Sequence, residues 1–138
     1  MAGDCLKILR TDSAVVTIQY YKETLYACWN LKKKWLFGVE TMKDIHSFKS
    51  PDFQKGVLLS GHKEKVMCMC VARNELWSGG HDKEINMWDV NTGKAKKTMQ
   101  VANGGLDAMC EFEGGVVSAA TTVLQCWRLD GRIFWLLW

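Results

Sequence analysis

His62, Ser78 and Asp82 are the residue types of a serine hydrolase's catalytic triad, and Cys68, Cys70, His62 and His81 are types that bind zinc. Either set could do chemistry. A nucleophilic serine needs an exposed, strained turn beside an oxyanion hole, whereas Ser78 stands inside the run Glu-Leu-Trp-Ser-Gly-Gly with no Gly-x-Ser-x-Gly around it. Cys68-x-Cys70 puts two sulfurs on one face of a strand, but zinc sites mostly use Cys pairs two to four residues apart, and no second pair stands at a matching distance. The sequence therefore predicts no catalytic residue, no metal and no cofactor.

The elements that would position these side chains read as strands. Short β-rich runs are separated by Asn-Gly, Gly-Gly and Lys-rich turns, with one proline and twelve glycines and no long amphipathic helix pattern. The clearest stretch, 57–100, reads as VLLSGH, KVMCMCVA, ELWSGGHD, EINMWDV and, after the turn NTGK, AKKTMQ. Four strands with tight turns follow from it. KVMCMCVARNELWSGG aligns with GLDAMCEFEGGVVSAA, which sets Cys70 on Cys110, Ser78 near Ser118 and Trp88 near Trp127 at a separation of about 40 residues. An earlier copy, AVVTIQYYKETLYACWN, matches at an offset of about 51, and 42–56, which carries Pro51, reads as an insertion. The copies run over about 5–48, 57–100 and 101–138, one domain in all.

Composition agrees with a globular chain of 138 residues, 48% apolar. Eighteen basic against fifteen acidic side chains give a net charge of +3, too weak a field to predict specific nucleic-acid binding. Six cysteines could mean disulfides, but MAGDCLKILR lacks the apolar stretch of a secretory signal, so buried reduced thiols in a cytoplasmic, or nuclear, protein are the expectation. No apolar run approaches the 18 or so residues of a membrane span; 133–138 is only six long. Lys32-Lys33-Lys34 and Lys94, Lys96 and Lys97 sit beside predicted turns, where lysines usually form a solvated surface.

Leu59-Ser60-Gly61-His62, Ser78-Gly79-Gly80-His81-Asp82 and Met87-Trp88-Asp89 together resemble the WD-repeat family, strongly over about 45 residues and weakly elsewhere. The resemblance implies an all-β fold, a partial β-propeller of about three four-stranded antiparallel WD40 blades, not enough to close a ring alone. It also implies a buried hydrogen-bond network of His62, Ser78, Asp82 and Trp88, which would pin an outer loop to the inner strands. The other copies depart from this pattern: Ala102 takes the histidine position of the third, and Thr11, Ala27, Leu31 and Trp35 fall on the network positions of the first. Carried over by alignment, a partner-binding rim would comprise Lys65, Met67, His81 and Asp107, with Gly105, Val16 and Asn30 beside them.

Both ends, CLKILR and RIFWLLW, read as outer strands, so a second copy or another propeller could cover the open edges. The function expected is a non-catalytic scaffold or adaptor that binds a protein or peptide. The alternatives are a targeting domain detached from a multidomain enzyme such as a kinase or lipid phosphatase, and a truncated competitor of a full-length propeller.

Overall fold

The computed structural model describes residues 7–11, 13–29, 32–35, 38–41, 43–101, 104–113 and 115–137. Cys5, Asn30, Leu31 and Ala102 lie outside the described residues. Fourteen strands run in order: β1 (Val15–Tyr21), β2 (Thr24–Trp29), β3 (Lys32–Trp35), β4 (Gly38–Thr41), β5 (His46–Lys49), β6 (Gln54–Lys55), β7 (Val66–Ala72), β8 (Glu75–Gly80), β9 (Glu84–Asp89), β10 (Lys94–Gln100), β11 (Ala108–Phe112), β12 (Gly115–Ala120), β13 (Val123–Arg128) and β14 (Ile133–Leu137). They form three four-stranded antiparallel sheets, β1-β2-β5-β6, β7-β8-β9-β10 and β11-β12-β13-β14, plus the separate hairpin β3-β4. The innermost strand of the second sheet, β7, packs between the innermost strands β1 and β11 of its neighbours. Among the described residues the fold is all-β, a partial propeller in which no sheet closes into a barrel.

Burial follows from this order. The second sheet is covered on both faces, so β7 and β8 read as near-continuous apolar runs, Val-Met-Cys-Met-Cys-Val-Ala and Glu-Leu-Trp-Ser-Gly-Gly, with most side chains buried. Against the first sheet it packs Val66, Met69, Leu76 and Trp88 on Tyr21, Tyr26, Cys28 and Ile45. Towards the third it packs Cys70, Trp77, Ile85 and Met87 on Leu106, Val116 and Trp127. Met67 sits at a β-bulge where the β7–β8 register shifts, and Val16 at the same break between β1 and β2.

The turns explain part of what composition hides. Lys22-Glu23 and Arg73-Asn74 close two-residue hairpins with all four residues at positive φ, between 43° and 62°, the mirror-image turn that matches strand twist. Only Asn74 is a residue type that advertises such a turn.

Three expectations need correction. Residues 7–10 form no strand, so CLKILR is not an outer strand within the described residues. The stretch 42–56 is not an insertion, because it carries β5 and β6, the third and fourth strands of the first sheet. The added length is instead the β3-β4 hairpin between the second and third strands. Trp35 consequently lies on that hairpin rather than at the tryptophan position. Leu25 pairs with Phe48 as Leu76 pairs with Trp88, so Phe48 occupies that place. At the other end, 133–137 does form an outer strand, paired with β13.

Trp77 and Trp88 are almost completely buried, yet only Trp88 has a partner for its indole N–H; that of Trp77 meets no acceptor among the described residues. An unpaired buried donor costs about 1–3 kcal/mol, comparable to the packing forfeited when the indole shrinks to a phenyl ring. Trp77→Phe should therefore lie within about 1 kcal/mol of wild type in a urea melt. A drop of more than about 3 kcal/mol would mean that the indole nitrogen has a partner.

Candidate functional site

The loop 81–83 joins β8 to β9 and brings Asp82 back over the segment 59–65. There Asp82 Oδ2 lies 2.8 Å from His62 Nδ1, His62 Nε2 lies 2.7 Å from Ser78 Oγ, and Trp88 Nε1 donates to the same Oγ at 2.7 Å. The Trp88 donor and the Asp82 acceptor set the two ends of the chain. Trp88 can only donate, so Ser78 accepts from it; with a neutral imidazole donating from Nδ1 to the Asp82 carboxylate, the Ser78 hydroxyl gives its own proton to Nε2. Asp82 also accepts the backbone N–H of Lys63 at 2.8 Å and of Glu84 at 3.2 Å. Burial pushes the Asp82 carboxyl up, but the hydrogen bond and charge of His62 and the two amide donors outweigh it and hold the group below the ordinary carboxylate value.

Asp, His and Ser stand in the order and through the same ring nitrogens as a catalytic triad, but with the hydroxyl turned inward. Ser78 is fully buried, and the Trp88 N–H occupies a lone pair on its oxygen. No substrate reaches that oxygen, so the geometry makes the trio a fastener between the loop and strands β8 and β9. Space around it is tight: a Cβ at Gly61 would stand 3.1 Å from the Trp88 ring, and one at Gly80 3.0 Å from His62 Nδ1.

The fastener fades outward from the second sheet. In the third, Trp127 Nε1 donates to Ser118 Oγ at 2.8 Å, but Thr121 takes the turn position and its backbone N–H is held by Asp107 Oδ2 at 3.1 Å. In the first, Ala27 and Phe48 carry no hydrogen-bonding group at the serine and tryptophan positions. Trp29 and His46 stack there instead, with centroids 4.0 Å apart.

Lys65, His81 and Asp107 come together at the loop end of the inner strands. His81 N–H donates to the Lys65 carbonyl at 2.9 Å, Leu106 N–H to the Gly80 carbonyl at 3.1 Å, and a Cβ on Gly105 would approach His81 Cα to 2.9 Å. His81 and Asp107 are exposed, and Lys65 and Met67 half-buried. The segments that carry Lys65, His81 and Asp107 thus meet, and Met67 is the bulge residue at the start of β7.

Sequence reasoning missed Glu84, a buried carboxylate on β9 that accepts from Lys63 Nζ and from Gln100 Nε2. Its signal was slight, one acidic residue at an inward position. Of the lysines, Lys96 bridges both carboxylate oxygens of Glu75 at 3.1 Å, and Lys97 reaches the Asp130 carbonyl.

The five described cysteines are free. Burial raises the Cys28 thiol far above its usual value and pushes those of Cys68 and Cys70 up to about 12, so none of these three is poised as a thiolate. Among the described residues no three His, Cys, Asp or Glu side chains group to hold a metal, and no helix is long and apolar enough to cross a membrane.

No family profile matches the chain. Over 55 residues, 40% of its length, it is 33% identical to the F-box/WD repeat-containing protein A-like protein of Dictyostelium discoideum, and the match covers 4% of that protein. Over 56 residues, 39% of its length, it is 34% identical to WD repeat-containing protein 18 of Mus musculus, covering 13% of it. The chain thus spans only a small part of these curated relatives. Among solved structures, U3-55K superposes on 94% of the chain with a TM-score of 0.77 at 12% identity, over 41% of its own length. The computationally designed Ika8 protein does so on 89% with a TM-score of 0.68 at 19% identity, over 36% of its own length. These likenesses establish the fold, and the two sequence matches a WD-repeat relationship.

Proposed function

We propose that this chain, with its WD-repeat relationship, is a non-catalytic scaffold module that binds a protein or peptide at the surface formed by Lys65, Met67, His81 and Asp107. The observation that carries the reading is the convergence of two loops on one exposed surface, held from behind by backbone bonds. The His81 N–H to Lys65 carbonyl bond and the Asp107 carboxylate on Thr121 fix the backbone of that surface. A rigid rim with mixed charge and an adaptable methionine suits recognition of a chain segment, because little ordering entropy remains to be lost on binding. The relatives' WD-repeat descriptions support protein partners in general, and the five described cysteines, all free, suit a cytoplasmic or nuclear setting.

A second reading, a targeting part of a larger multidomain protein, draws support from the Dictyostelium relative, in which the match covers 4% of the length.

The test is selection of binders from a displayed random-peptide library, followed by titration against Lys65→Glu and Asp107→Lys. Both side chains sit at the rim rather than in the core, so both variants should fold. Each should weaken the selected peptides by roughly ten- to hundredfold, as for loss of a central interface contact. Unchanged affinity for both variants would remove the rim from the binding site.

A further inference from the structure

We infer that a cavity at the seam between the first and second sheets binds a small hydroxylated phosphate monoester, its phosphate held between Lys22 and Lys49. The site stands apart from the proposed peptide rim and does not rest on it. The turns 22–23 and 90–93 that flank it close the strand ends opposite the loop 81–83.

Thr24 pairs with Lys49 and Tyr26 with Ser47 across the β2–β5 ladder. These four alternate with Leu25 and Phe48, so their side chains share one face. Tyr26 packs on that face against the second sheet. Towards the turns the seam opens into a cavity of about 200 Å³. Thr24, Tyr26 and Ser47 are buried and form its floor, whereas Lys22, Lys49 and Asn91 are exposed and stand at its mouth.

The register explains the space. Leu25 and Phe48 match Leu76 and Trp88 of the second sheet, so Tyr26 and Ser47 match Trp77 and Met87. Trp77 and Met87 are packed into the seam with the third sheet. A serine in the methionine's place leaves the matching volume of the first seam unfilled. One step along, the charge reverses as well: the second sheet carries Glu75 and Asp89 where the first carries Thr24 and Lys49.

Among the described residues no carboxylate lines the cavity, and neither Lys22 nor Lys49 is in an ion pair. The acids nearby are engaged elsewhere. Asp89 Oδ1 accepts the Asn91 and Thr92 amides, and Glu75 is bridged by Lys96. The Lys22 ammonium stands 5.1 Å from the centroid of the Tyr21 ring, whose hydroxyl donates to the Asn74 carbonyl at 2.6 Å. That contact places the cation before a ligand arrives. Two ammonium groups match the nearly double charge of a phosphate monoester better than the single charge of a carboxylate. The floor has the opposite need. Thr24 donates to the Lys22 carbonyl at 3.2 Å and Ser47 to the Val57 carbonyl at 2.5 Å, so both hydroxyls turn lone pairs to the cavity. A ligand with its phosphate at the mouth and hydroxyls inward meets both requirements.

Titration of glycerol phosphate into the isotope-labelled 138-residue chain, followed through its amide resonances, tests this. Signals of residues 22–24, 47–49 and 91 should move saturably, while those of the loop 81–83 stay still. Lys22→Gln and Lys49→Gln, both at exposed positions, should each weaken binding about tenfold, the loss of one bond to a charged group. Lys97→Gln, on β10, should leave it unchanged. Inorganic phosphate should bind more weakly than the ester, because it brings no polyol hydroxyls to the floor. Absence of saturable shifts at these residues would overturn the inference, as would an affinity indifferent to both lysines. Tighter binding of a capped phosphoserine than of glycerol phosphate would overturn the small-ester reading in favour of a phosphorylated protein.

Discussion

Trp88→Ala should lower the stability of the chain by about 3–5 kcal/mol, the range for deleting a large buried aromatic side chain. The ring is 1% exposed and packs in the core between the first and second sheets. It is also the donor that begins the chain from Trp88 through Ser78 and His62 to Asp82. Its loss opens a cavity and leaves the Ser78 oxygen short of a donor. Trp88→Phe separates the two contributions, because it keeps most of the ring and removes the N–H. It should cost about 1–3 kcal/mol, more than Trp77→Phe, whose indole nitrogen has no partner to lose. Chemical denaturation of the three variants side by side checks the order. Equal losses for the two Phe substitutions would detach Trp88 from the network.

His62→Ala should cost about 2–3 kcal/mol at neutral pH, because it strands two groups at once. Ser78 loses its acceptor, and the Asp82 carboxylate, with its side chain 1% exposed, keeps only the Lys63 and Glu84 amides. The effect has a pH signature. The folded chain holds the Asp82 carboxyl below its ordinary value of 3.8, so this group stabilises the fold fully above that value, and the contribution disappears as pH falls through the lower folded value. Wild type should therefore lose stability on acidification below about pH 4 more steeply than Asp82→Asn, which has no proton to take up. Melts at a series of pH values compare the two slopes. Parallel acid limbs would mean that Asp82 titrates no differently folded than unfolded.

What could be read from the sequence depended on how narrowly each position constrains its residue. The second sheet was legible because a buried chain of donors and acceptors tolerates few substitutes, and His62, Ser78, Asp82 and Trp88 stand where such a chain needs them. The first sheet was legible only in β1 and β2. The β3-β4 hairpin displaces its third strand, and Phe48 replaces the tryptophan, so the cue there was one aromatic residue in a short alternating run. Lys22, Glu23 and Arg73 stand at positive φ without being turn-forming types, because a two-residue hairpin takes the mirror-image turn that matches strand twist. Alignment offers Asp107 as a rim candidate. That Asp107 holds the Thr121 amide in place of a turn aspartate shows only in three dimensions. The run Ala-Met-Cys-Glu-Phe of β11 predicts a strand equally well with or without a neighbouring sheet, so its exposure had no signature in the sequence.

The proposed role in binding is tested most directly by a hydrogen-exchange footprint of the chain with and without a peptide selected from the random library. The account predicts added protection in the loops 62–67, 80–83 and 104–108, with β10 and the β3-β4 hairpin unchanged. Protection confined to β10 or to the outer strands, with the rim loops exchanging as before, would contradict it.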